Sequence, residues 1–315
     1  MQRSEMGHAM VQMVERTQTD IINALNQINQ KEGVSSSWSR EEGGGGTAII
    51  FPHGDILEKG GVNVSTVYGP VFESMLPMLK IKEEKPENLH FFATGISLVL
   101  HPYSPFIPTV HANYRYFEIM RDQRLVTWFF GGGSDLTPYY LYEEDAIHFH
   151  QTLKSACDTE DPTLYAALKK ECDSYFYLPH RKEHRGVGGI FSLRRNEKDP
   201  WTLFNWATEC AKAFIPSYLP LVEKRSRQPF TAQQKYWQHI RRGRYVEFNL
   251  MYDLGTLFGL KSGGNIENIL MSLPPHCSWE HQYNPQPGSP EAELLHTLRT
   301  PREWITHLTQ ARGKS

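Results

Sequence analysis

The chain has 315 residues, 39% of them hydrophobic and 22% charged, a globular composition that sets aside disordered, fibrous and collagen-like chains. A formal net charge of −2 argues against nucleic acid as a partner, because phosphate contacts draw on an excess of Lys and Arg. Cys157, Cys172, Cys210 and Cys277 form no C-x-x-C pair and are too few for a disulfide framework, which points to a reducing compartment.

No apolar run approaches the roughly 18 to 20 residues that span a bilayer. Met10, Val14, Ile21, Leu25 and Ile28 recur at helical spacing, while Glu5, Glu15 and Asp20 make a poor transit peptide. The expectation is an amphipathic helix over residues 1–30 on the body of a cytoplasmic protein. Next, Gly43 to Gly46 mark a loop and Thr47 to Phe51 a short strand. From Leu89 to Phe130 the pattern predicts three strands in an antiparallel meander, broken at His101–Pro108 and Arg121–Arg124.

Helices are expected from about Glu143 to Cys157 and from Pro162 to Tyr177, the second with Asp161-Pro162 as N-cap and first position. Arg241-Arg242-Gly243-Arg244 reads as a charged surface turn leading into a strand over Tyr245 to Tyr252. Ser289-Pro290 and Thr300-Pro301 should open short terminal helices, Thr300 forming a capping box with Glu303. Strands and helices are grouped rather than alternating, which predicts a single α/β domain of the α+β type over residues 1–315, with a large, mainly antiparallel sheet flanked by helices.

The stretch Thr109 to Glu118, T-V-H-A-N-Y-R-Y-F-E, carries the most chemistry. Alternate strand positions share a face, so His111, Asn113 and Arg115 point together. An imidazole, an amide and a fixed cation on one face suit a polar anionic ligand beside a proton donor; the same spacing also suits a solvated outer face. By the same rule Ser97 and His101 share a face of the preceding strand. Gly131-Gly132-Gly133-Ser134-Asp135 lets the backbone approach a ligand and ends in a carboxylate suited to a ligand's N–H donors or to base chemistry, or is a plain turn. It matches neither a dinucleotide fingerprint nor a phosphate loop.

His148 and His150 are two residues apart on a helix and cannot share a pocket. His101, His111, His150 and His180 are enough imidazoles for a transition metal, although no H-E-x-x-H or C-x-x-C pattern supports one. The loop Ser262-Gly263-Gly264-Asn265 offers backbone N–H groups to a carboxylate, or is a plain hairpin turn.

Seven of these segments together resemble the oxygen-dependent coproporphyrinogen oxidase family: W-S-R-E-E-G-G-G-G (Trp38 to Gly46), G-G-V-N-V-S (Gly60 to Ser65), G-I-S-L-V-L-H-P (Gly95 to Pro102), H-A-N-Y-R (His111 to Arg115), F-G-G-G-S-D-L-T-P (Phe130 to Pro138), R-G-R-Y-V-E-F-N-L (Arg242 to Leu250) and I-L-M-S-L-P-P (Ile269 to Pro275). They occur in the family's order and cover roughly residues 38–310.

The resemblance implies helices on both faces of the sheet and a homodimer with its contact at about 245–280. It implies aerobic decarboxylation of two propionates of coproporphyrinogen III to vinyl groups, giving protoporphyrinogen IX in haem synthesis, with molecular oxygen as co-substrate and no organic cofactor. His111 is then the proton donor, Asp135 and Arg115 are essential, and Ser97, Asn113, Arg115, Gly263, Gly264 and Asn265 bind substrate. Metal-binding histidines described in bacterial relatives would be His101, His111, His150 and His180. Leu254 and Asn265 stand where many relatives carry Arg, which removes cations that would pair with propionates. A metal-dependent oxygenase or hydrolase, or a tetrapyrrole carrier without turnover, are the competing readings.

Overall fold

The computed structural model describes residues 3–75, 87–122, 124–261 and 265–305. Helix α1 (Glu5–Asn29) opens at Ser4, whose hydroxyl accepts from the Gly7 N–H and donates to buried Glu118 on a central strand. The expected stripe of Met10, Val14, Ile21 and Leu25 is buried, each such side chain contributing about 1.5–3 kcal/mol of burial.

Strands β1 (Val34–Ser39), β2 (Gly44–Phe51), β3 (Leu57–Pro70), β4 (Leu89–Pro102), β5 (Thr109–Arg121) and β6 (Arg124–Thr137) follow in chain order. After β6 come α2 (Glu143–Cys157) and α3 (Leu164–Tyr175), then a small hairpin of β7 (Tyr177–Leu178) and β8 (Glu183–His184), and β9 (Gly188–Arg195). The large strands form one seven-stranded antiparallel sheet in the order β1-β2-β3-β4-β5-β6-β9. The remaining helices are α4 (Pro200–Lys212), α5 (Phe214–Arg225), α6 (Ala232–Met251), α7 (Leu254–Lys261), α8 (Ile266–Leu270) and α9 (Pro290–Arg299). Among the described residues no helix is long and apolar enough to cross a membrane.

One sheet face is sealed. Val62, Val64, Ile96, Leu98, Val110, Ala112 and Tyr114 join the α1, α2, α4 and α5 side chains in the main core. The other face carries the alternate positions, and β5 shows the switch residue by residue: Val110, Ala112 and Tyr114 are buried while His111, Asn113 and Arg115 are partly open. On that face α3 packs against β9, Tyr245 and Phe248 of α6 enclose Arg185 and Met271 beyond α8 packs on Gly61, and the partly open His111, Asn113 and Arg115 lie in the cleft among them.

Four expectations change. Gly44 to Gly46 belong to β2 rather than to a loop. Pro162 lies outside α3, which begins at Leu164. Residues 301–303 are irregular and 304–305 form a bend, so no helix starts at Thr300-Pro301 among the described residues. Tyr245–Met251 is the last part of α6, with Tyr252 as its C-cap, not a strand, and Arg241, Arg242 and Arg244 sit inside that helix rather than in a turn.

A capping box of Thr231 and Gln234 starts α6, and Tyr245, Val246, Glu247, Phe248 and Asn249 are buried in an unbroken run. A helix wedged between two layers buries successive residues, so its β-prone aromatic run gave a false strand signal. The arginines are buried because carboxylates meet them: Arg241 reaches Glu183 at 2.6 Å, and Arg242, fully buried, reaches Glu58 at 2.6 Å.

Candidate active site

Strand register lays out the cleft floor in rows. Gly61, Val99, His111, Asp135 and Gly189 align across five strands. The next row is Asn63, Ser97, Asn113 and Gly133, and the next Ser65, Gly95, Arg115 and Gly131. Beyond these the floor turns apolar at Val67, Ala93, Phe117 and Phe129. Small residues hold the polar rows flat, and the predicted site residues Ser97, His111, Asn113, Arg115 and Asp135 meet there.

His111 Nδ1 donates to Asp135 Oδ1 at 2.8 Å. A carboxylate only accepts, so Nδ1 carries the proton and Nε2, which has no hydrogen bond among the described residues, is the atom available for chemistry. Asp135 is 2% exposed. Its second partner is Arg185, which follows β8 and whose Nη2 lies 3.0 and 2.9 Å from the two carboxylate oxygens.

The Arg185 guanidinium stands 4.2, 4.5 and 4.8 Å from the ring centres of Phe176, Tyr245 and Phe248. Its Nη1 donates to Asn249 at 2.9 Å. Burial alone would raise the Asp135 pKa, but the Arg185 charge and the His111 contact reverse this and hold it below its ordinary value. Asp135 is thus a fixed anion with both oxygens engaged, suited to orienting His111 rather than to taking a proton itself. No sequence motif pointed to Arg185, which the chain brings in 50 residues after Asp135.

Arg115 lies flat across the neighbouring strand: a Cβ on Gly131 would stand 3.2 Å from both its Nε and its Nη2. It donates to Asn113 Oδ1 at 3.1 Å and to the Leu193 carbonyl at 3.0 Å. Burial lowers its pKa, and Tyr175, Asp253 and Glu171 partly offset this. It makes no ion pair among the described residues, so a ligand carboxylate can be its counter-ion.

The other expected residues lie elsewhere or apart. His101 is buried, donating through Nε2 to the Ser272 carbonyl at 2.8 Å while Nδ1 faces Thr109 at 3.1 Å. His150 is held by the Val187 carbonyl and the Tyr165 hydroxyl, and His180 by Glu247 and Tyr252. With both nitrogens of these three rings engaged, the four histidines do not assemble a metal site. Among the described residues no three His, Cys, Asp or Glu side chains do so.

Asn265 caps α8 by accepting from the Asn268 N–H at 3.0 Å, whereas Gly263 and Gly264 lie outside the described residues. Leu254 is 49% exposed and presents its backbone N–H to the Tyr175 hydroxyl at 3.1 Å.

Similarity to known proteins agrees with this geometry. A family model described as coproporphyrinogen III oxidase matches residues 9–304. "Coproporphyrinogen-III oxidase 1, chloroplastic" of Arabidopsis thaliana is 48% identical over 303 residues, 93% of this chain and 78% of that protein. "Oxygen-dependent coproporphyrinogen-III oxidase, mitochondrial" of Homo sapiens is 46% identical over 307 residues, 96% of this chain and 68% of that protein. The oxygen-dependent coproporphyrinogen-III oxidase of Drosophila melanogaster is 45% identical over 310 residues, 96% of this chain and 79% of that protein. The expectation of a cytoplasmic protein is overturned by these relatives, since the plant and human proteins are chloroplastic and mitochondrial. With the family model spanning nearly the whole chain and relatives this close, the chain belongs to the coproporphyrinogen III oxidase family.

Proposed function

We propose that this protein catalyses the oxygen-dependent conversion of two propionates of coproporphyrinogen III to vinyl groups, giving protoporphyrinogen IX. The observation that carries this reading is the His111–Asp135 pair and, two rows along the same floor, Arg115, in a chain of this family. Each turnover breaks the bond between the propionate carboxyl carbon and its neighbour and removes a hydride equivalent from the carbon next to the pyrrole. Carbon dioxide leaves, the electron pair of the broken bond forms the vinyl double bond, and the hydride's two electrons and one proton, joined by one proton from solvent, pass to dioxygen as hydrogen peroxide. An electron-rich porphyrinogen can donate those electrons itself, so no organic cofactor is invoked.

The protein's own work is to bind, orient and move protons. Arg115 pairs with a propionate through charge-assisted hydrogen bonds, with Ser97 and Asn113 beside it. His111 Nε2 exchanges the proton, its ring fixed by Asp135. Further substrate contacts are assigned to Asn265 with Gly263 and Gly264. Two copies of a single 1–315 domain pair through the segment at about 245–280. Support comes from the exposed side chains of Leu250, Met251, Leu254, Leu260, Ile266 and Trp279 in that segment, an apolar group of the kind that marks an interface.

Incubation with coproporphyrinogen III in air, followed by chromatography of the oxidised porphyrins, tests the activity. A product with two fewer carboxylates is expected; tight binding without conversion would make the protein a tetrapyrrole carrier.

A further inference from the structure

The substrate of the proposed reaction carries four propionates and four pyrrole N–H groups, far more polar groups than His111, Asn113 and Arg115 can meet. The cleft floor continues past Ser97. Asn63 is paired directly with Ser97 on β3, and Trp38 on β1 continues the row of Gly46, Ser65, Gly95 and Arg115. The Trp38 indole lies over β2, where a Cβ on Gly46 would come within 2.8 Å of its Nε1. Since Gly46 pairs with Ser65, Asn63 is its diagonal neighbour, roughly 7–8 Å away in an antiparallel sheet.

The wall at this end is α8. Lys59 on β3 donates to the carbonyls of Leu270 and Leu273 at 3.3 and 2.9 Å. The Met271 sulfur packs on Gly61, 2.7 Å from where a Cβ would stand. Asn268 precedes Met271 by one helical turn and shares its sheet-facing side.

Three side chains here hold buried polar atoms that have no hydrogen-bond partner among the described residues: Trp38 Nε1, Asn63 Oδ1 and Asn268 Nδ2. Unpaired buried polar atoms are costly and few in folded proteins. Trp38 and Asn63 lie in adjacent rows of the floor, and Asn268 lies one turn before the Met271 that packs on Gly61; an arrangement of this kind points to a ligand that completes them.

We infer that Trp38, Asn63 and Asn268 form a second substrate subsite, which binds a propionate and a pyrrole N–H remote from the reacting side chain. The chemistry matches in kind: Trp38 and Asn268 offer N–H donors to a carboxylate, and Asn63 Oδ1 accepts from a pyrrole N–H. The subsite rests on the tetrapyrrole reading above. It also gives a role to the segments Trp38 to Gly46 and Gly60 to Ser65, which the reacting end of the cleft leaves unused.

Asn63→Leu and Asn268→Leu each remove an orphan atom while keeping the branched shape, and Trp38→Phe removes one together with the five-membered ring of the indole. With coproporphyrinogen III in air, each is expected to raise KM about tenfold, the loss of one hydrogen bond to a polar or charged group, with kcat unchanged. In the absence of substrate the Tm of the two Leu variants should hold or rise, because an unsatisfied buried atom has gone. A role in folding alone gives a lower Tm at wild-type KM, and orphans that nothing fills give a higher Tm at wild-type KM; either overturns the inference. Should a Leu variant fail to fold, Asn268→Asp keeps the shape and sets a carboxylate against the ligand's, and an unchanged KM there overturns it equally. If the wild-type protein gives no turnover, the function fails separately, and the subsite is judged by fluorescence titration with oxidised coproporphyrin. Weaker binding by the three variants supports the subsite, and equal binding removes it.

Discussion

Arg185 and Asp135 form a buried pair in which one guanidinium nitrogen, Nη2, lies 2.9 Å from Oδ2 and 3.0 Å from Oδ1. Each side chain is only 2% exposed. A pair this dry is strongly interdependent, because either charge alone would be left without solvent or partner. His111 hangs from the same carboxylate, so the geometry of the proton-transfer group is set by a residue that does not face the floor.

Arg185→Leu is therefore expected to destabilise the fold by about 3–5 kcal/mol and to abolish turnover. Arg185→Lys restores the charge but not the planar fork held among Phe176, Tyr245 and Phe248, and should recover stability more fully than kcat. Asp135→Asn keeps the shape but can present N–H to His111 Nδ1 and favour the wrong tautomer. Its kcat should fall by roughly two to four orders of magnitude with substrate affinity retained. Denaturant unfolding beside steady-state kinetics checks all three; a wild-type kcat in Asp135→Asn would remove the orienting role.

Gly131→Ala addresses Arg115. The added methyl would stand 2.7 Å from the Leu193 carbonyl and 3.2 Å from the guanidinium, so the β9 backbone at Leu193 must give way and Arg115, which donates to that carbonyl, is displaced with it. KM for coproporphyrinogen III is expected to increase about tenfold, the scale of one charge-assisted contact, with a smaller effect on kcat. An unaltered KM would mean that Arg115 does not meet substrate in this flat pose.

Acid should loosen α6 first. Burial alone would raise the pKa values of Glu58 and Glu247. In Glu58 the opposing contacts of Arg242 and Lys235 win and hold it at about 2; in Glu247 those of Arg181, His180 and Trp279 do the same, also at about 2. Both carboxylates are depressed from 4.5, so their stabilisation is complete above that value and is lost as pH falls from there towards 2. Urea midpoints should be flat with respect to these groups above pH 4.5 and drop below it. In Glu58→Gln and Glu247→Gln the midpoint starts lower and its acid slope is shallower; slopes equal to wild type would show that other groups govern.

Metal removal should leave catalysis in place. His101, His150 and His180 spend both ring nitrogens on protein partners. Activity assayed after exhaustive chelation is expected to match the untreated protein. A loss that a divalent ion alone reverses would restore the metalloenzyme reading.

Much of the fold was legible where one period dominates. The α1 stripe and the alternation of β5 follow from a helix or strand with one buried and one open face, and α2 was placed at its observed ends. The strand expected at Tyr245 to Tyr252 failed because α6 is covered on more than one side, which erases the amphipathic signal and leaves only misleading propensity. The arginine run before it looked solvated because its partners, Glu58 and Glu183, are distant in sequence.

The sequence by itself determined that His111, Asn113 and Arg115 share a face, since strand alternation is local, and its ordered motifs carried the family resemblance. Only the tertiary structure decided what that face meets. Register across β5 and β6 set His111 against Asp135, and packing of the segment after β8 beneath α6 delivered Arg185. Pairing of β1, β2 and β3 set Trp38 in the row next to that of Asn63, and the chain beyond α8 brought Met271 onto Gly61. Those relationships depend on which strands neighbour one another and which helices cover them, and no spacing along a single segment encodes that.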